Sequence, residues 1–368
     1  MFEKLDHVNW SVLEHAYGTA EDVPEQLRNL ASLAPEDREK ALSFFWCKVI
    51  HQGTVCSATP QTIPFLLEII ESPLGENKAE LLAIICAFAS ASSCPEYSPD
   101  QPDTIEQCRR EVSKGWCKYL DVLALADEST RCCAALALGH CTEHAAGIVN
   151  RLKDHLAHET NPLVSASMLV CIGKLAAAAN VDYLTHFART SSQAVVRFSA
   201  ALSLAQTLKD KCPDDVLNLL IESLNDPSVV DESYLQLSSS QDESGVALVT
   251  AALCTSGLDL KRFIGNIRAG LNGLRASDTA SIGITHSLLD YAFPNGQRFA
   301  GKLSGIQYAV LELMVESDQI WYWGNVITIF RSFGLADGRE DLRQMLGNLR
   351  AELADTQDKS PLADTEDK

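Results

Sequence analysis

The sequence predicts an all-α chain built as an α-solenoid: stacked helix pairs with capping helices at both ends. Three observations carry this expectation. A ten-residue segment of small and apolar residues, Thr130 to Gly139, returns as Val164 to Gly173 and again as Val196 to Ala205, the starts lying 34 and then 32 residues apart. Ahead of each copy runs a second segment with apolar residues three and four apart: Leu120 and Leu123, Leu152 and Leu156, Leu184 and Phe187. That spacing lines one face of a helix, and a near-constant period in this range marks stacked helix pairs. The third observation is composition: hydrophobic residues make up 46% and charged residues 21%, a globular balance.

One helix pair has too little area to bury its own apolar face. Stacking gives each pair a neighbour on both sides, and a continuous core results. Ala, Ser and Cys occupy the positions in each copy where neighbouring backbones must come close. Arg131, Ala134, Ala135, Ala137, Leu138 and Gly139 match the second-helix core of the HEAT-like repeat family, which the segment resembles. Later copies drift from it, with Ser165 in place of the arginine and Ala205 in place of the glycine. The resemblance implies a right-handed solenoid of HEAT-like helix pairs.

Taken in order, residues 1–75 read as an N-terminal cap and first helix pair. Val8, Trp10, Val12 and Leu13 form a small apolar cluster, and Val23 opens a helix with Pro24 in its first turn. A second helix starts at Pro35 with Glu36 and Asp37 at its positive end. It carries Leu42, Phe45, Trp46 and Val49, and Gly53 is expected as its C-terminal stop. Thr59 and Pro60 are expected to cap the next helix, through Ile70. The regular repeats span 76–226, interrupted by a proline-bearing loop from Ser92 to Thr104. Residues 227–244 read as an acidic connector and 245–353 as divergent repeats and a C-terminal cap. In that last part, helices are expected at Val246 to Leu253, Leu258 to Ile264, His286 to Phe293, Gly305 to Val315 and Trp321 to Phe333. Residues 354–368 carry one Leu and no aromatics and read as a disordered tail.

A wider resemblance rests on particular words of the sequence. Trp10, the run Leu13-Glu14-His15-Ala16-Tyr17-Gly18, Trp46, His51-Gln52-Gly53-Thr54 and Ile63-Pro64-Phe65-Leu66-Leu67 follow one another, and Gly324-Asn325-Val326, Arg331-Ser332-Phe333-Gly334-Leu335 and Arg339-Glu340-Asp341-Leu342-Arg343 close the chain. This order is similar to that of a broad bacterial family known only as HEAT-repeat-containing proteins. It spans nearly the whole chain outside the tail and speaks to fold more than to activity.

The formal charge is −19, from 49 acidic and 30 basic residues. Affinity for phosphate backbones comes chiefly from Lys and Arg, so the balance opposes nucleic acid and anionic membrane surfaces alike. It suits a basic protein partner, because complementary charge speeds association and rejects wrong partners. The acids of the long connector and its edge, Asp226, Asp231, Glu232, Asp242 and Glu243, are the candidate lip for such a partner. Trp321, Tyr322 and Trp323 read as the core of the terminal cap; the alternative is that they are partly exposed and serve as aromatic anchors, with Trp321 and Trp323 the candidates. No run of about 18 uninterrupted apolar residues is present, and the start lacks a secretory pattern. Most of the twelve cysteines then read as reduced thiols in helical apolar runs, among them Cys86, Cys132, Cys133, Cys171 and Cys254. A cytoplasmic location is expected.

Tests for chemistry find little. Gly296 to Lys302 starts like a phosphate-binding loop but continues into Leu303 where a hydroxyl is required, and no buried strand precedes it. His140, His144, His155 and His158 with Cys132 and Cys133 form the densest group of ligand-type residues, yet no paired short spacing converges them on a metal. The expectation is therefore a protein-binding solenoid with no enzyme activity, cofactor or metal. The specific role that suits acidic charge on a gripping scaffold is an immunity protein neutralising a basic toxin domain. The alternative is a HEAT-like lyase or chaperone-type protein acting on a bilin or other modified substrate, for which the loop thiols Cys56, Cys94 and Cys108 are candidates.

Overall fold

Helices account for nearly all regular structure in the computed structural model, which describes residues 1–51, 53–72, 76–91, 101–125, 127–225, 245–275 and 279–358. The all-α expectation holds at this level; two antiparallel hairpins of two-residue strands are the β-structure among the described residues. The chain divides into two compact units, one built on Met1–Thr207 and one that begins at Leu208.

The first unit opens with the hairpin β1 (Glu14–His15) and β2 (Gly18–Thr19), then α1 (Val23–Leu30) and α2 (Pro35–Phe44). Val23, Leu27 and Leu30 recur every three or four residues on α1 and are all buried. Trp10 is buried as expected, but Val12 is 70% exposed and stands outside the apolar cluster. After α2 the backbone loosens into a single π-turn, Phe45–Val49. The second hairpin follows, β3 (Ile50–His51) with β4 (Thr54–Val55). Gly53, at φ +76°, therefore serves this hairpin and not a helix end. Thr59 does not cap α3 (Thr59–Glu71) either. It lies inside the helix, where its hydroxyl donates to the Val49 carbonyl at 2.7 Å and accepts from the Cys56 N–H at 3.0 Å.

The repeat core comprises α4 (Lys78–Ser90), α5 (Gln101–Ser113), α6 (Trp116–Leu125), α7 (Glu128–Leu138), α8 (Ala145–Leu156), α9 (Pro162–Ala176), α10 (Val181–Thr190) and α11 (Ala194–Leu208). The three sequence copies are α7, α9 and α11. Pro102 and Thr104, expected in a loop, lie in the first turn of α5, a position proline tolerates because its missing N–H would be unpaired there. Residues 92–100 fall outside the described residues. α4, α7 and α9 pack in succession, while α6 lies against α7 and α8 against α9. α4 is apolar nearly all round and buries Leu81, Leu82, Ile84, Ile85 and Phe88, each contributing about 1.5–3 kcal/mol.

Local chemistry starts these helices where they start. The Asp127 carboxylate accepts from the Thr130 N–H at the head of α7. Asn161 accepts from the N–H groups of Leu163 and Val164 at the head of α9. Small residues then allow close approach: a Cβ on Gly173 of α9 would lie 2.3 Å from the Ser203 Cβ of α11. Arg131 of α7 pairs with Glu159, whose side chain is 7% exposed. By length and composition Pro162–Ala179 is apolar enough to cross a membrane, with half of that window buried inside the protein.

The second unit holds α12 (Asp214–Ser223), α13 (Gly245–Thr255), α14 (Ile264–Gly273), α15 (Ala280–Ala292), α16 (Gly305–Glu316), α17 (Asn325–Ser332) and α18 (Arg339–Asp358). α13 packs on α12 and α15, and α15 and α18 both pack on α16. Ser304 and Gln307 cap α16 reciprocally: the Ser304 hydroxyl accepts from the Gln307 N–H, and the Gln307 side chain accepts from the Ser304 N–H. Several boundaries differ from expectation: α15 begins at Ala280, ahead of His286, and α17 begins at Asn325, with Trp321 closing a separate short turn. Where a helix was expected over Leu258 to Ile264, a short turn at Leu260–Arg262 leads into α14, which begins at Ile264. α18 runs to Asp358, five residues into the segment expected to be disordered; 359–368 lie outside the described residues.

Candidate functional site

An open cleft of about 460 Å³ forms in the first unit where α3, the start of α4, α6 and the head of α7 come together. Its apolar floor is Ile70 of α3 and Val122 of α6, both buried. Around it stand four acids, Glu71, Glu76, Asp121 and Asp127, and two lysines, Lys78 and Lys118. The entry to α4 shapes one wall. Asn77 takes the left-handed conformation at φ 56°, which asparagine tolerates, and its side chain accepts from Arg38 Nε at 2.9 Å.

The four carboxylates are not equivalent. Glu71 is paired with Lys118 at 2.5 Å. Asp127 is committed to its helix: the Thr130 hydroxyl donates at 2.6 Å and the Thr130 N–H at 3.1 Å. The hydroxyl bond chiefly, helped by backbone N–H groups against a smaller effect of burial, holds its carboxyl below the usual range. Glu76 and Asp121 make no ion pair with any described residue. Two uncommitted anions therefore flank an apolar floor. A Lys or Arg can lay its hydrocarbon stem on such a floor while its charged head meets the carboxylates.

The sequence-predicted acidic lip, Asp226, Asp231, Glu232, Asp242 and Glu243, lies outside the described residues. Trp321 and Trp323 are described and are placed differently from each other. Trp321 stacks on Phe330 with ring centres 4.9 Å apart and planes 11° from parallel. Its indole N–H donates to the Met314 carbonyl at 2.8 Å. Trp323 is half-buried against the edge of Tyr322 at 5.4 Å, and its indole nitrogen is buried with no partner among the described residues. The ring most open to solvent in this run is Tyr322, 57% exposed. Sequence reasoning placed it in the cap core because a run of three aromatics does not say which one faces out.

The histidines of the ligand-type group are dispersed. α7 ends at Leu138, so His140 and His144 do not share a helical face. His144 stacks on Trp116 at 4.8 Å, and the His158 ring bonds the Asp154 carbonyl at 3.1 Å. Among the described residues no three His, Cys, Asp or Glu side chains are placed to hold a metal ion. Of the candidate loop thiols, Cys108 is instead buried in α5, where burial, with the nearby Glu111 charge, pushes it up to about 12. Cys56 is half-buried and raised by burial, and Cys94 lies outside the described residues. Cys86, Cys132 and Cys171 are core residues, as their helical spacing suggested, while Cys133 and Cys254 are half-buried.

A second polar cluster holds the N-terminal cap together. The His15 ring, 5% exposed, meets Asp22 at 3.0 Å and accepts from the Tyr17 N–H at 3.1 Å. Lys48 closes on the same carboxylate at 2.9 Å. Burial pushes the Asp22 carboxyl up, but the Lys48 hydrogen bond and the charges of His15 and Lys48 outweigh it, leaving the carboxyl below its ordinary value. Both imidazole nitrogens are occupied, so this cluster braces the first hairpin against α1.

Taken with the fold, these sites define an all-helical protein with an open, acid-rimmed cleft on stacked helices. Comparison with family models, with curated proteins and with solved structures finds no match to this chain.

Proposed function

We propose that the chain is a non-enzymatic, right-handed α-solenoid of HEAT-like helix pairs that grips a basic protein partner in the cytoplasm. The biological role that suits it is that of an immunity protein occluding a basic toxin domain. The observation that carries the reading is the cleft itself, where Glu76 and Asp121 stand without ion partners among the described residues above Ile70 and Val122. Paired charges on a surface contribute little, whereas uncommitted carboxylates beside apolar surface gain a partner when a Lys or Arg is desolvated against them. The overall charge of −19 supplies a long-range field of the right sign to draw such a partner in. The succession of α4, α7 and α9 supports a stacked array, with Asp121 on α6 and Glu76 just ahead of α4.

The test is affinity capture from cells of the source organism with the natural protein and with the double charge reversal Glu76→Lys/Asp121→Lys. The captured protein is then titrated against both forms at low and high salt. The expected result is a basic partner whose affinity falls at least about tenfold on reversal, since close interfacial charge pairs couple by roughly 1.5 kcal/mol or more. Binding that is indifferent to the reversal and to salt overturns the proposal.

A further inference from the structure

A second cleft in the first unit has the opposite character. It holds about 570 Å³ between the end of α4, one face of α5, the turn after α7 and Lys174 of α9. In a chain with 49 acids against 30 bases, this cleft gathers Arg109, Arg110 and Lys174, with Glu106 and Glu143 as its acids. Arg109 is anchored by one bond, Nε to the Ala89 carbonyl at 3.2 Å, which fixes its guanidinium at the end of α4. The rest of that guanidinium has no partner among the described residues. Arg110, one residue on, forms no hydrogen bond or ion pair with any described residue.

Two further groups make this more than a cluster of surface cations. Lys174 Nζ lies 3.1 Å from His140 Nε2. An ammonium only donates, so the imidazole accepts and must be neutral. Burial, reinforced by the charges of Lys174 and Arg109, pushes His140 down to about 3, so it adds no charge of its own near neutral pH. Ser113 lines the same cleft at 6% exposure; its hydroxyl oxygen is buried with no well-formed hydrogen bond among the described residues, and it lies near enough to the Cys141 thiol to lower that group's pKa against the larger effect of burial. A buried hydroxyl left unpaired costs stability and calls for a partner. Arginine N–H groups and a hydroxyl beside one another are the donor set that phosphate and carboxylate oxygens accept from.

We propose that this cleft binds a small anion bearing a phosphate or carboxylate group, with Arg109 and Arg110 as the charged donors, Lys174 as the supporting charge and Ser113 as the neutral donor. The volume lies within the range of small-molecule sites. The site is separate from the acid-rimmed cleft and does not depend on the protein-partner reading.

The experiment is calorimetric titration of the full chain, at low salt, with inorganic pyrophosphate and separately with citrate. The same titrations are run on Arg110→Gln, Lys174→Gln and Ser113→Ala. The expected result is saturable one-to-one binding of at least one probe, weakened about tenfold or more by Arg110→Gln, in line with charge-assisted bonds. Ser113→Ala weakens it by a smaller factor with an unchanged helical circular dichroism spectrum. Preference for pyrophosphate or for citrate names the class. Absence of saturable binding of either probe at millimolar concentration overturns the proposal. So does binding of equal strength in the natural protein, Arg110→Gln and Lys174→Gln, which would place the anions elsewhere.

Discussion

Replacing Gly173 with Ala tests a close approach of two helices in the repeat core. Taken alone, the change favours the helix by about 1 kcal/mol, because glycine in a helix interior costs conformational entropy. The neighbour decides against it. The added Cβ would sit 2.3 Å from the Ser203 Cβ and 2.5 Å from its hydroxyl oxygen. Carbon atoms rest at about 3.5 Å or more, so the two helices must separate by roughly 1.2 Å. Both Cβ atoms are bonded directly to the backbone, and no rotamer change relieves the contact. Overpacking of this kind costs about 1–3 kcal/mol, which gives a net loss of up to about 2 kcal/mol and a melting temperature lower by about 2–4 °C per kcal/mol.

The cost should shrink when the obstacle is removed. In a Ser203→Gly background the side-chain clash is gone, leaving a backbone contact to the Cα of residue 203 at 3.3 Å, so Gly173→Ala should cost far less there and the pair should show coupling of about 1–3 kcal/mol. Urea unfolding followed by circular dichroism gives the four stabilities. Hydrogen exchange of peptides from α9 and α11 localises the change. If Gly173→Ala stabilises the natural protein, or costs the same with and without Ser203→Gly, the close packing of these helices is refuted.

Asp127→Ala should cost about 1 kcal/mol through loss of the α7 cap, read as a lower melting temperature. Asp22 and Asp127 both have folded-state pKa values below the unfolded value of 3.8. Their contribution is therefore present above that pH and lost as pH falls through the folded values, and unfolding monitored between neutrality and acid should show a steeper loss in the natural protein than in Asp22→Asn. Thiol labelling near pH 8, mapped by mass spectrometry, should modify the exposed Cys47 and Cys117 first among the described cysteines. Cys108 and Cys141, each buried and pushed up to about 12, should react after denaturant is added.

The repeat helices were legible because their signals are local. Small residues recurring at a 34- and 32-residue interval located α7, α9 and α11, and apolar spacing located α6, α8 and α10 ahead of them. α14 was not legible in the same way. It carries three glycines, Gly265, Gly270 and Gly273, and packing overrides their weak helix propensity: a Cβ on Gly270 would already meet Val246 at 3.0 Å. Gly53 and Thr59 were misread for a related reason. Glycine and threonine signal a break or a cap in many contexts, and only the pairing of β3 with β4 and the hydroxyl contact to Val49 select the role each plays.

Neither cleft had a sequence signature. Glu76 and Asp121 stand 45 residues apart, and Arg110 and Lys174 stand 64 apart, with no spacing that marks them as neighbours. Charge reasoning turned to the densest acidic run, at 226–243, because density along the chain is what a sequence displays. Helices form through hydrogen bonds four residues apart, so periodicity determines them wherever it is regular. Which charges share a cleft, and which are already paired, depends on how distant helices pack, and the sequence alone did not decide that.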